Sequence, residues 1–223
     1  MEYSDMADVN IYRCFSTIIY EFKYHPPTDE YNNMKTHISE IMMKKSDILH
    51  GPDSRHFGTQ MPNTGKDYHS SDNLHKLPNF IKLKETISDV AEQICNMMEY
   101  QYDKLEITGM WANTLQKGDA HAPHTHSNNF LSGVYYLKSD EKSSPIQFFD
   151  PRAQATVLRP RNKPNWDNGS MVGFNAIQGV GFIFPSWLMH WVPPTQGERI
   201  SISWNIIVRG PYGEPNTLQN AYI

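Results

Sequence analysis

The feature that most restricts how this chain can fold is a series of short strand-type runs crowded into its second half. Leu105 to Asn113, Phe130 to Lys138, Ile146 to Phe149, Ala155 to Leu158, Met171 to Phe174, Gly181 to Phe184, Leu188 to Val192 and Ile200 to Val208 are rich in β-branched and aromatic residues. About eight such runs, parted by Gly, Pro and Asn turns, predict an antiparallel sandwich or barrel with helices packed outside it. Arg159 to Ser170 reads as a polar loop inserted into this series, with a turn at Asn168-Gly169.

The first half mixes strand and helix. Thr17 to Tyr24 predicts a strand stopped by Pro26 and Pro27. Thr28 is suited to cap a helix, since Asp29 and Glu30 follow it and Tyr31, Met34, Ile38, Ile41 and Met42 recur at helical spacing, ending near Lys44-Lys45. His50 to Asp72 shows neither period and predicts a long polar loop of the lid or rim type. A second helix starts near Pro78 and carries Phe80, Leu83, Ile87, Val90, Ile94 and Met97 or Met98 along the face that should meet a sheet.

A length of 223 residues suits one domain: a strand and supporting helices in 1–104, a β core in 105–210 and a tail in 211–223. A hydrophobic fraction of 39%, before Gly is added, is that of a globular protein. The longest apolar runs, such as Gly181 to Leu188, are too short for a bilayer, and the acidic start Met-Glu-Tyr-Ser-Asp is unlike a signal peptide, so the expected location is the cytoplasm. Cys14 and Cys95 stand apart from other soft ligands and read as buried thiols. A net charge of -4 argues against broad nucleic-acid binding, although Arg159, Arg161 and Lys163 form a local basic piece. Exposed strand edges would allow a homodimer.

Chemistry concentrates at His124, His126, His190 and Arg199. Residues i and i+2 of a strand point to one face, so His124 and His126 can bind one ion, and His190 returns after an apolar strand and turn. Imidazole suits iron, zinc, copper and nickel, and three ligands on one side leave positions open. His25, His37, His50, His56, His69 and His75 lie in polar or helical surroundings and read as ordinary surface or hydrogen-bonded residues. From Arg199 onward, Arg199, Ser201, Ser203 and Asn205 alternate with Ile200, Ile202, Trp204 and Ile206. A buried guanidinium needs an anion, and its fork matches a carboxylate. A small dicarboxylate can therefore chelate the metal with one end and reach Arg199 and Ser201 with the other.

These residues resemble the Fe(II)/2-oxoglutarate dioxygenases, and more closely a subgroup found in bacteria and marine phages. The resemblance rests on Trp111-Ala-Asn113, His124-Thr-His126, Leu131-Ser-Gly-Val-Tyr-Tyr-Leu137, Phe149-Asp-Pro-Arg152, Phe184-Pro-Ser-Trp-Leu-Met-His190 and Glu198-Arg-Ile-Ser-Ile-Ser-Trp-Asn205, and so spans roughly Trp111 to Ile206. It implies a mainly β fold with flanking helices and a double-stranded β-helix core, also called a jelly roll and shared with cupins. It implies a hydroxylase using Fe(II), 2-oxoglutarate and O2, with His124 and His190 as iron ligands and Arg199 with Ser201 on the distal carboxylate of 2-oxoglutarate. Tyr136 stands where related enzymes often carry a cosubstrate-binding tyrosine, and Asn113 and Asn205 are further pocket candidates.

His126 departs from the common triad of two His and one carboxylate. Either it is itself the third ligand, or a carboxylate such as Asp119 or Asp150 arrives from elsewhere, or the site has lost oxygenase chemistry. The second and third readings of the whole chain follow from that: a three-His, cupin-like dioxygenase that does not use 2-oxoglutarate, and a non-catalytic jelly-roll binding protein. His121 is set apart from the face of His124 and His126 by its odd position and by Pro123.

Overall fold

The computed structural model describes residues 12, 14–48, 70, 73–152, 157, 158, 160, 161 and 163–223, with the backbone alone for 44–48. The expected polar loop, His50 to Asp72, lies outside these residues except for Ser70, whose hydroxyl and N–H meet the N–H and C=O of Ala112, each at 2.9 Å.

In chain order the elements are β1 (Tyr20–Lys23), α1 (Thr28–Ile48), 3-10 turns at Leu74–Lys76 and Pro78–Phe80, α2 (Ile81–Met97), β2 (Lys104–Leu115), β3 (His121–His124), β4 (Leu131–Lys138), β5 (Ile146–Phe149), β6 (Met171–Phe174), β7 (Val180–Pro185), β8 (His190–Val192), β9 (Arg199–Arg209), β10 (Pro211–Tyr212) and β11 (Ala221–Tyr222). A five-stranded sheet has the order β1-β7-β4-β9-β2, and a four-stranded sheet the order β3-β8-β5-β6. From β2 to β9 the chain passes back and forth between them, and every pairing within these two sheets is antiparallel. That winding is a double-stranded β-helix, with β1 extending one sheet.

Alternation along the strands builds two apolar layers. Tyr135, Leu137, Ile183, Ile202, Trp204 and Ile206 face outward from the five-stranded sheet and pack with Met34 and Ile38 of α1 and Leu83, Ile87 and Ile94 of α2. Val134, Tyr136, Phe148, Phe182 and Phe184 face inward and fill the space between the sheets. Covered on both sides, β4 is buried from Leu131 to Leu137. Gly133 is the place where the outer layer comes closest: a Cβ there would stand 2.3 Å from the Trp204 ring. Only a residue without a side chain lets that indole lie flat across β4.

Several expectations shift in detail. The Pro27 carbonyl accepts the Tyr31 N–H at 3.0 Å, so Pro27 rather than Thr28 closes the first turn of α1, and the helical backbone runs on to Ile48. On α2, Ala91 and Cys95 are buried whereas Met97 is 66% exposed, because the row at spacing four, Leu83-Ile87-Ala91-Cys95, is the one turned to the sheet. Cys14 is exposed, a correction to the buried thiol expected; Cys95 is buried, and burial pushes its thiol pKa up to about 11. Ala155 lies outside the described residues, while Val157 and Leu158 form a turn and bend with solvent around them. Of the strands in the two main sheets, β3 is the one that no β-type run of the sequence covers, because His-Ala-Pro-His lacks their apolar pattern; it ends at His124, so His126, expected on the same strand two residues on, lies beyond it. No helix among the described residues is long and apolar enough to cross a membrane.

Candidate metal centre and anion pocket

The three histidines reach one point by two routes. His124 closes β3 and His190 opens β8, and the antiparallel register sets them directly opposite each other, with ring centroids 4.4 Å apart. His126 follows the end of β3, and its ring lies 5.1 Å from that of His124 and 5.2 Å from that of His190. One ligand atom from each of the three lies within 4.8 Å of the other two. Among the described residues, no carboxylate joins this group. Asp150 is turned instead to Arg152 and Asp119 to the Gln116 N–H. The His121 ring stands 6.5 Å from His124 and outside the group.

Two of the imidazoles are oriented by main-chain carbonyls. Nδ1 of His124 lies 2.7 Å from the Ala122 oxygen, and Nδ1 of His190 lies 2.9 Å from the Leu188 oxygen. A carbonyl can only accept, so Nδ1 carries the proton and Nε2 is left with a lone pair for a metal. Phe184 and Phe148 flank His190 with centroids at 4.8 and 5.8 Å, and the Trp111 ring lies 6.0 Å from that of His126. Burial lowers the pKa of His124; burial and then His124 bring His126 down to about 4, and burial, His124 and His126 bring His190 down to about 3. Neutral imidazole, the form a cation binds, is thus the resting form at neutral pH.

Opposite the histidines, the inner face of β9 is polar. The register places Tyr136 of β4, Ser201 of β9 and Asn113 of β2 in one row across three neighbouring strands. Arg199 lies two residues along β9 from Ser201. Its side chain is 2% exposed, its Cζ sits 4.9 Å from the Tyr136 ring centroid, and its Nη1 donates to the Ser144 oxygen at 3.3 Å. Among the described residues its Nε has no hydrogen-bond partner and no carboxylate pairs with the guanidinium. Burial works against its charge, with Tyr136 opposing that effect; burial also raises the pKa of Tyr136 despite Arg199. The Asn113 amide donates to Ser203 Oγ at 3.0 Å, while its Oδ1 is buried and unpartnered. A buried cation and an orphaned polar atom are costly unless a ligand meets them. Asn205 is placed differently, because its Oδ1 accepts from Ser132 Oγ at 2.7 Å.

All eight residues singled out in the sequence therefore lie between the two sheets or at their edge. Trp111 beside His126, and the carbonyls that orient the rings, had no chemical signal in the sequence. A carbonyl belongs to every residue, and only the folded turn selects the useful ones.

The winding of the strands, a cluster of imidazoles and a buried arginine define the class: a double-stranded β-helix with a candidate metal centre and anion pocket between its sheets. Residues 109–205 match the family model described as "Putative 2OG-Fe(II) oxygenase". Through this segment the chain is similar to the 2OG-Fe(II) oxygenases. No curated protein sequence matches it. Among solved structures, a prolyl-4-hydroxylase from Pseudomonas putida superposes with a TM-score of 0.55 at 12% identity, covering 86% of this chain and 94% of that one. EctD from S. alaskensis with bound Fe gives 0.58 at 12%, covering 86% and 73%. HygX from Streptomyces hygroscopicus with nickel and 2-oxoglutarate bound gives 0.52 at 10%, covering 85% and 81%. At such identities the likeness speaks for the fold.

Proposed function

We propose that this protein is a non-haem Fe(II) and 2-oxoglutarate-dependent hydroxylase, with His124, His126 and His190 holding the metal and Arg199, Ser201, Tyr136 and Asn113 holding the cosubstrate. The observation that carries the reading is Arg199, a buried guanidinium without a carboxylate partner on the face opposite three neutral imidazoles. The donor set fits the group, since Nε2 of His124 and of His190 is free of its own hydrogen bond to the backbone and turned by Nδ1. When bound, iron, 2-oxoglutarate and O2 supply oxidation of a primary substrate coupled to loss of carbon dioxide and release of succinate.

The chain's own part is placement and exclusion of water. Arg199 and the Ser201 hydroxyl receive the distal carboxylate, and Tyr136 closes over the guanidinium. Phe148 and Phe184 keep one side of His190 dry. Burial falls along the inner face of β9, from Arg199 and Ser201 to the half-exposed Ser203 and Asn205, so the deep end holds the anion and Asn205 belongs to the mouth. The protein works in the cytoplasm in this reading, and the free thiols Cys14 and Cys95 suit a reducing compartment. The closer resemblance of its motifs to phage and bacterial members supports an origin in that subgroup, and the position of β3 and β6 at the edges of the four-stranded sheet supports a homodimer.

Succinate release from 2-oxoglutarate in the presence of Fe(II) tests the reading. His190→Ala is expected to abolish it and Arg199→Ala to impair it strongly; iron binding with no affinity for 2-oxoglutarate would overturn it. The absence of a carboxylate from the three-His group among the described residues favours one second reading, a cupin-like dioxygenase in which a chelating substrate binds the metal directly. Oxygen consumption independent of 2-oxoglutarate is its mark.

A further inference from the structure

We infer that the turn between β7 and β8, keyed into the barrel by Ser186, Ser132 and Asn205, is the device that sets the third imidazole, His126, in place. The inference rests on the metal reading above and extends it to residues that touch no ligand.

His124 and His190 are placed by strand pairing, whereas His126 lies beyond the end of β3 and has no such partner. Its backbone N–H donates instead to the Ser186 oxygen at 2.9 Å. Two residues on, the Leu188 oxygen takes the Nδ1 proton of His190. One short turn therefore governs both rings, the first by its backbone position and the second by its tautomer and rotation.

The turn is itself held. The Ser186 N–H donates to the Phe130 oxygen at 3.0 Å, and the Leu188 N–H to the Pro185 oxygen at 2.9 Å. Ser186 Oγ lies 2.8 Å from Ser132 Oγ, and Ser132 Oγ donates to Asn205 Oδ1 at 2.7 Å. Ser186 is 0% and Ser132 1% exposed. Two buried hydroxyls gain little net stability over alanine, because each gives up its hydration to form the bond. What the chain adds is direction: it ties the turn to β4 and β9, the strands that also carry Tyr136 and Arg199. The metal centre and the anion pocket are thereby held in one frame. Groups that orient a ligand in this way commonly change metal affinity by about 10–100-fold when removed.

Co(II) binding to the full chain, followed by calorimetry and by the visible absorption of the bound ion, tests the inference. Ser186→Ala and Ser132→Ala are each expected to bind Co(II) about tenfold or more weakly than the unsubstituted protein. Their spectra should move toward that of His126→Ala, and each substitution should weaken binding clearly less in a His126→Ala background, where only the share acting through His190 remains. Unchanged affinity and spectrum overturn the inference. So does an equal loss with and without His126, since that is the behaviour of general loosening. Should Ser186→Ala fold poorly, Ser132→Ala leaves the turn's own backbone bonds intact and gives the answer. No Co(II) binding by the unsubstituted protein would sink the metal reading itself, an outcome distinct from wild-type binding that Ser132→Ala leaves untouched.

Discussion

The two faces of β9 are made by one stretch of chain and are opposed in chemistry. Ile200, Ile202, Trp204, Ile206 and Val208 point outward to the helices and are all buried. Arg199, Ser201, Ser203 and Asn205 point between the sheets, where Arg199 and Ser201 are buried as well. Burial of the first set is favourable at roughly 25 cal/mol per Å² of apolar surface. Burial of the second is unfavourable unless something pairs with it. The outer face is therefore accounted for by folding; on the inner face Ser203 and Asn205 are paired with Asn113 and Ser132, and the buried Arg199 is what folding alone leaves unexplained.

Substitutions on the two faces should separate these roles. Trp204→Ala is expected to lose about 3–5 kcal/mol of stability, read as a shift of the urea midpoint, while whatever remains folded binds 2-oxoglutarate normally. Arg199→Met should do the reverse: equal or greater stability without ligand, and 2-oxoglutarate affinity weaker by about 3 kcal/mol, roughly a hundredfold, in a titration. A clear loss of stability in Arg199→Met would break the comparison.

The histidines predict a pH dependence for the metal-free protein. Burial holds His126 at about 4 and His190 at about 3, against an ordinary value of 6.5. The unfolded chain takes up protons below about pH 6.5 that the folded chain refuses, so their contribution is full above that pH and is lost as pH falls toward 4 and then 3. Urea midpoints measured at pH 7.5, 6 and 5 should fall in that order, and the slope should lessen in a His126→Ala, His190→Ala double variant. Ser201→Ala is the smallest expected effect, about 1 kcal/mol or some fivefold in 2-oxoglutarate affinity, with stability hardly changed.

How much of this was legible depends on whether the signal is local. The β-type runs at Ile146–Phe149 and Met171–Phe174 became strands with those bounds, because alternation and turn residues act over a few positions. His124, His126, His190 and Arg199 stood out because few residue types hold metals or carboxylates. β3 was hidden, since its four residues look like a loop and its strand geometry comes from pairing with β8. The stripe of α2 was read one row off at its end, because Ala91 and Cys95 are weakly apolar and only their contact with the sheet marks them.

By itself the sequence determined the kind of elements, the polar and apolar alternation of β9 and the inventory of candidate metal and anion ligands. All of these follow from the chemistry of neighbouring side chains. The tertiary structure decided which face of β9 turns inward, that Asn113 lies across from Ser201 and His124 from His190, and that the backbone of one turn serves two imidazoles. Those are facts of register between strands far apart in the chain. A register arises only when both apolar layers close at once, and no local stretch of sequence contains it.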